Sequence, residues 1–520
     1  MSIRKLVAVG VVTLLGSACG ASDDVRREVA ARNAAAAGRG QVAAGALGDG
    51  LGGALSGDAP GSSTGTTAGD LSPGGSGAAA AGSSLSTSAS GPAAAGRSGP
   101  GAASGGGGAA AGAGAGPGAD PSGGTAGSGG AGTGAGGGAA TPAPAPAGGN
   151  GGATDVGVTA DTIKIGGIFF NGSWLDRYVQ VAEQGARAYF RYINDQGGIY
   201  GRKINYISCD TAATADGTQS CGRKLGDADK VFAFGPSMDV YSNVLNEYIT
   251  QRQIPAVGSM AYYLEDQRNP YIFPTQLSSQ ELAALIGTFS AQKLGVKTVG
   301  VLWIKDFIGA DCLEQVRRTG QKLGYQVVVE ANSGTTEDDM TPQVIKMRTA
   351  SPPPDAVLFC TDAVNQTKFM QAAARQNWAP PKGWVAAYAA IDDVPKAIGP
   401  TAKGMWTLTT YDYYGSDTPG VQLYRRITNF YYPSMFHHFF SQATYAGAVA
   451  LVEAIKQAGP NLTRAKLLEA LRSMRNFDSG MGLTFDFGDK ASGKAASGLM
   501  LQADENLRYR VATERFKPVL

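Results

Sequence analysis

The foldable part of the chain opens as a strand, an amphipathic helix, a glycine stop and a second strand. Thr162–Phe170 (TIKIGGIFF) is rich in β-forming residues. Between Arg177 and Asp195, Val181, Ala182, Gly185, Ala186, Tyr189, Phe190 and Ile193 recur at spacings of three and four, on one helical face. Gly197 and Gly198 then stop the helix, and GGIYGRKI leads into the next strand. One such βαβ unit commits a chain to a parallel sheet with right-handed crossovers. The alternation continues, with strands predicted at Lys203–Cys209, Val231–Gly235, Ile254–Val257, Thr298–Trp303, Tyr325–Glu330, Ala356–Cys360, Trp384–Tyr388 and Gly404–Thr410. Helices are predicted at Val240–Gln251, Gln280–Lys293, Asp311–Leu323, Thr341–Thr349, Val364–Gln376, Gln442–Gln457 and Thr463–Arg472. A β-rich end (Leu483–Phe487, Leu499–Leu501) closes the chain. Residues 156–520 are more than one sheet comfortably uses, so the expected fold class is α/β with two lobes, each a mainly parallel sheet flanked by helices.

The first third is different. The chain has 520 residues and 76 glycines, and the glycine is concentrated before Asp155. Residues 20–155 consist largely of Gly, Ala, Ser, Thr and Pro, which cannot bury enough surface to offset chain entropy, so a disordered linker is expected. A flexible chain of that length spans roughly 60–70 Å, which suits a leash; a spacer without further role is the plainer reading. Ahead of it, Arg4 and Lys5 precede the apolar run Leu6–Leu15 and the small residues Gly16, Ser17 and Ala18. That is a signal peptide over residues 1–19, too short to span a membrane. Cys19 follows directly and resembles a lipoprotein acceptor, although Gly16 stands where such sites usually carry Leu.

Export permits disulfides. Cys209, Cys221, Cys312 and Cys360 allow three pairings. Cys209–Cys221 would close a short loop, and Cys312–Cys360 is feasible if their strands are neighbours. No C-x-x-C occurs and the two histidines, His437 and His438, are adjacent, so no metal site and no cofactor is expected. A net charge of +2 gives no reason to expect nucleic acid as a partner. No H-E-x-x-H or Walker loop is present, and the G-x-S-x-G at Gly61–Gly65 falls in the glycine-rich stretch rather than between a strand and a helix, so enzyme chemistry is not expected.

Open parallel sheets bind ligands beyond the carboxyl ends of their strands. That rule selects Asn171, Ser173 and Trp174 after the first strand, Ser237, Met238 and Asp239 after the third, and Ser259 and Tyr262 after the fourth. From the second lobe it selects Phe307, Thr361, Asp362, Tyr388 and Asp392. Hydroxyls and helix N-termini suit an anion; Asp239, Asp362 or Asp392 could pair with an ammonium; Trp174, Tyr262, Phe307 and Tyr388 could form an apolar wall or hold a cation. Each has a plainer structural role open to it. Ser237, for one, also suits a helix cap.

VGVTADTIKIG (Val156–Gly166) with GGIYGRKI, the run LGVKTVGVLWIKDFIGADCLEQVRRTGQKLGYQV (Leu294–Val327), PDAVLFC (Pro354–Cys360) and TYAGAVALVEAIKQAG (Thr444–Gly459) together resemble the type I periplasmic binding proteins of the leucine/branched-chain amino-acid receptor family. The resemblance implies a two-lobed clamp with a three-crossing hinge, near Thr275–Ser279 and Met405–Thr410. Lobe one would hold about 162–277 and 406–459, lobe two about 278–405 and 460–520. It further implies an extracytoplasmic solute-binding protein of an ABC importer. Such a protein captures a small polar molecule, an amino acid or related amide or amine, by hinge closure. The expected partners are the small-molecule ligand and an ABC permease, the expected anchor is a lipid on Cys19, and a monomer is expected. A ligand-sensing module of the same fold is the alternative, and a hydrolase a more distant one. Two places depart from the family pattern. Asp239 stands where a Ser-Ser or Ser-Thr pair usually holds the ligand carboxylate, and Ile308–Gly309 where Tyr-Gly is usual. An Asp there would favour a neutral or cationic solute.

Overall fold

Two sheets of the same construction form the core. The computed structural model describes residues 143–171, 175–258, 262–305, 308–335 and 337–520. The signal segment, Cys19 and most of the expected linker lie outside the described residues. Among those described, no helix is long and apolar enough to cross a membrane.

The first sheet contains β1 (Thr162–Phe169), β2 (Lys203–Asp210), β3 (Ala233–Phe234), β4 (Ala256–Val257) and β5 (Ile272–Phe273), all parallel, in the order β2-β1-β3-β4-β5. The second repeats that winding with β6 (Thr298–Ile304), β7 (Gln326–Ser333), β8 (Ala356–Cys360), β9 (Trp384–Ala386) and β10 (Trp406–Thr409), in the order β7-β6-β8-β9-β10. A small ladder, β11 (Phe477–Asp478) with β12 (Thr484–Phe485), precedes β13 (Leu499–Ala503) and β14 (Tyr509–Val511), which extend the second sheet antiparallel. Helices fill the crossovers. In each sheet the strand order reverses between the first strand and the third, at β1/β3 and at β6/β8, and such switch points open a crevice at the strand ends.

Local chemistry explains the element ends. The seven apolar positions read from the Arg177–Asp195 stretch are all buried in the Asp176–Asp195 helix. The Ser279–Gln292 helix starts on a capping box: Ser278 Oγ accepts from Glu281 N at 3.3 Å, and Glu281 Oε2 accepts from Ser278 N at 2.7 Å. The Gly309–Leu323 helix ends at Gly324, whose φ of +79° an L side chain would resist.

Three features differ from the sequence reading. β10, expected in the first lobe, hydrogen-bonds β9 and β13 in the second sheet. The Arg464–Ser473 helix, expected in the second lobe, packs on the Phe439–Ala458 helix, which itself packs on Asp176–Asp195 beside the first sheet. Residues from 143 onward, expected as linker, lie against the first sheet's edge. The isolated bridge Ala143–Ile199 joins them there, and Asp155 Oδ2 accepts from Arg464 N at 2.7 Å. Both disulfides form, Cys209–Cys221 and Cys312–Cys360. The second is possible because β8 pairs directly with β6, whose following helix carries Cys312.

Candidate functional site

The two switch points meet at one cavity of about 40 Å³. From the first sheet, Phe170 follows β1, Met238 and Val240 follow β3, and Tyr262 follows β4. From the second, Ile304 ends β6, Thr361 and Asp362 follow β8, and Tyr388 follows β9. Tyr178 and Phe440 reach in from the helices beside the first sheet. Described residues touch across the gap. The Tyr262 and Tyr388 rings meet edge to face at 6.4 Å, and Arg177 Nη2 pairs with Asp393 Oδ2 at 3.0 Å.

The polar groups here are few. Thr361 Oγ1 and Tyr388 OH are buried and have no hydrogen-bond partner among the described residues, and a buried hydroxyl left unpaired is destabilising. Asn171 Oδ1, next to Phe170, is in the same condition. Asp362 is otherwise placed. Its Oδ1 accepts from Val364 N at 2.8 Å and Asn365 N at 3.0 Å, capping the Ala363–Arg375 helix, and its Oδ2 accepts from Asn365 Nδ2 at 2.9 Å. Burial raises its pKa, and those hydrogen bonds oppose the rise.

Of the residues selected from sequence, Met238, Tyr262, Thr361, Asp362 and Tyr388 come together around this cavity, with Asn171 alongside. Ser173, Trp174, Ser259 and Phe307 lie outside the described residues. Three selected residues are placed elsewhere. Asp239 turns into a second cavity of about 40 Å³ within the first lobe, where Thr211 Oγ1 and Thr218 Oγ1 donate to it at 3.2 and 2.8 Å. Burial pushes its pKa up to about 6, as it does that of Asp266 across the same cavity. Ser237 lines this second cavity too, and rather than capping a helix it bridges strands, accepting from Ile168 N and donating to Gly235 O. Asp392 accepts from Tyr413 OH at 2.8 Å, away from the described lining. Tyr178, Phe440 and Ile391 line the main cavity and were missed; their only sequence signal is that of helix or core positions.

This arrangement defines a class: two doubly wound α/β lobes with their strand ends facing one cleft. Residues 162–503 match the family model described as periplasmic binding protein, and the chain belongs to that family. No curated protein matches the chain. Among solved structures, a fatty acid ABC transporter substrate-binding protein from Thermomonospora curvata is 20% identical, with a TM-score of 0.63 over 72% of this chain and 97% of that one. A leucine binding protein from Thermotoga maritima is 16% identical, with a TM-score of 0.60 over 69% and 99%. A solute binding protein of an ABC transporter from Rhodopseudomonas palustris BisB5, in complex with 3,4-dihydroxybenzoic acid, is 20% identical, with a TM-score of 0.60 over 69% and 98%. At such identities the likeness concerns the fold.

Proposed function

We propose that this protein is the solute-binding component of an ABC importer, working outside the cytoplasm and capturing a small molecule between its lobes. The observation that carries the reading is the convergence of both sheets' switch points on one cavity lined from each side. That cavity has room for about three water molecules, so a solute enters only when the lobes part, and contacts made from both sides then favour the closed form. Closure of this kind requires a ligand that binds the closed state better than the open one. The closed form would be what a membrane permease recognises. A lipid on Cys19 and the glycine-rich segment after it would hold the protein near that permease.

The amino-acid, amide or amine ligand expected from the sequence drew its cationic bias from Asp239. That carboxylate is hydrogen-bonded inside the other cavity, so the bias loses its support. The test is a thermal-shift screen of the full chain against amino acids, aromatic acids, fatty acids and neutral amides, with X-ray scattering of each hit. A ligand at a hundred times its Kd adds about 2.7 kcal/mol to stability and should reduce the radius of gyration. A screen with no stabilising compound, or hits that leave the dimensions unchanged, would refute the importer reading.

A further inference from the structure

We infer that the cleft selects an uncharged solute with an apolar, aromatic or branched body and one or two neutral hydrogen-bonding groups, which Thr361 and Tyr388 receive. This deepens the solute-binding reading above and rests on it. Three observations lead there. First, Phe170, Met238, Val240, Ile304, Ile308 and Ile391 make the described wall largely hydrocarbon, and no Arg, Lys or His is among its described residues. The described cation at the gap, Arg177, is already paired with Asp393 at 3.0 Å, so a carboxylate desolvated against such a wall would be left unpaired, and an unpaired buried charge is strongly disfavoured.

Second, the helix N-terminus that follows the third strand of the second sheet, the usual alternative for an anion, is already taken. After β8, the first amides of the Ala363–Arg375 helix donate to Asp362. After β3, Asp239 is turned away into the other cavity, held by Thr211 and Thr218. Asp362 thus occupies the one such position that a ligand carboxylate could use among the described helix starts at the third strands, and it would repel a carboxylate placed nearby. The helices after β1 and β6 begin at Leu175 and Ile308 without a side-chain cap, and both of those residues present aliphatic side chains to the cavity.

Third, Thr361 Oγ1 and Tyr388 OH are buried and unpartnered among the described residues, one following β8 and the other β9. Each hydroxyl can donate or accept, so together they match a neutral hydroxyl, carbonyl or amide better than a formal charge of either sign.

The test uses isothermal titration of the full chain with matched pairs: 4-hydroxybenzoate against 4-hydroxybenzamide and methyl 4-hydroxybenzoate, and 3-methylbutanoate against 3-methylbutanamide. The neutral member of a pair should bind at least about tenfold more tightly. Thr361→Val and Tyr388→Phe should each weaken that binding about tenfold while raising the unfolding midpoint of the free protein, since each removes an unpaired buried hydroxyl. Equal or tighter binding of the charged members overturns the solute class and leaves solute capture standing. Neutral ligands that bind both variants as tightly as the parent overturn it as well, as does a lowered midpoint, which would give the hydroxyls a role in the fold. Binding by no member of any pair overturns the class, and joined to a blank broad screen it removes solute capture too.

Discussion

Gly258 and Gly447 meet backbone to backbone: a Cβ built on Gly258 would lie 2.5 Å from Gly447 Cα. Gly258 continues from β4 toward Tyr262, and Gly447 sits in the middle of the Phe439–Ala458 helix. Thr275 Oγ1 adds a 3.0 Å hydrogen bond to Ala443 O of that helix. The helix is thus pressed against the strand ends that carry the cleft. The close approach also explains why a glycine is used inside a helix, where it normally costs about 1 kcal/mol relative to alanine.

The two glycines should respond unequally to alanine. Overpacking a tight contact costs about 1–3 kcal/mol. Gly447→Ala recovers about 1 kcal/mol of helix propensity, so its net loss should be small, about 0–2 kcal/mol. Gly258 has a φ of +78°, and an L side chain in that left-handed region costs roughly a further 1–2 kcal/mol. Gly258→Ala should therefore lose about 2–5 kcal/mol. Urea unfolding of both variants decides it; the reverse order would mean that the contact relaxes at Gly258 rather than at the helix.

Asp239 gives a pH dependence whose sign is fixed by its burial. Its folded pKa of about 6 lies above the unfolded value of ~3.9. Below about pH 4 the group is protonated in both states and contributes nothing. Between 4 and 6 the unfolded chain releases its proton first, so stability falls as pH rises, and above about 6 the full penalty stands, on the order of 2–3 kcal/mol. His437 and His438, held down by burial at about 4 and about 3, act in the opposite direction, losing stability as pH falls below ~6.5. The whole-protein curve is thus a sum of opposed effects. The difference between Asp239→Asn and the parent isolates the carboxylate. The variant should gain on the parent by on the order of 2–3 kcal/mol from pH 4.5 to pH 7.5. A difference that stays flat with pH would place the Asp239 carboxylate in water.

The contrast between Asp239 and Asp362 marks how far the sequence could be read. Helix and strand identity was legible wherever period and length agreed: the Ala356–Cys360 strand lies where its apolar run places it, and the predicted Gln280–Lys293 helix is offset by a residue from Ser279–Gln292. The strand-end rule also led to Met238, Tyr262, Thr361 and Tyr388, which share the cavity. It could not tell which of two successive side chains faces the cleft. Met238 and Asp239 point into different cavities, because neighbours in extended chain alternate sides and β3 is only two residues long, too short to set the parity by pattern. The Pro419–Tyr431 helix escaped the reading since it opens on Pro-Gly, a pair that usually signals a turn. Arg202, a polar residue between two strands, gave no hint that it would be fully buried at 0% exposure.

The two disulfides should contribute unequally. Chain-entropy arguments give about 3 kcal/mol for the 12-residue separation of Cys209–Cys221 and about 4 kcal/mol for the 48-residue separation of Cys312–Cys360. The second also ties the helix that begins beside Ile308 to the end of β8 beside Thr361, so it links two parts of the cavity wall. Denaturant unfolding of Cys209→Ser/Cys221→Ser and Cys312→Ser/Cys360→Ser should show the larger loss in the second pair. If the first pair is the more costly, local packing outweighs loop closure at these bridges.

Arg202 fastens the segment that precedes the lobes. Its guanidinium meets no carboxylate among the described residues and donates instead to four backbone carbonyls: Nε to Thr159 O at 2.7 Å, Nη1 to Pro460 O at 2.8 Å, and Nη2 to Gly152 O at 2.9 Å and to Asn150 O. One side chain thus joins the 150–152 stretch, the strand-entry turn and the end of the Phe439–Ala458 helix. Tyr200 N donates to Ala143 O at 2.7 Å, holding the same segment further out. Lysine cannot reproduce this, since a single ammonium lacks the planar fork that reaches several acceptors at once. Hydrogen bonds from a charged donor contribute about 1.5–3 kcal/mol each, partly offset by the cost of burying the cation, so Arg202→Lys should lose about 2–4 kcal/mol. It should also expose residues 143–155 to limited proteolysis while the lobes remain folded. The readouts are the unfolding midpoint and the mass of the first protease-resistant fragment. If that fragment has the same N-terminus in the parent and Arg202→Lys, the attachment is held by Tyr200 and Asp155 without need of the guanidinium.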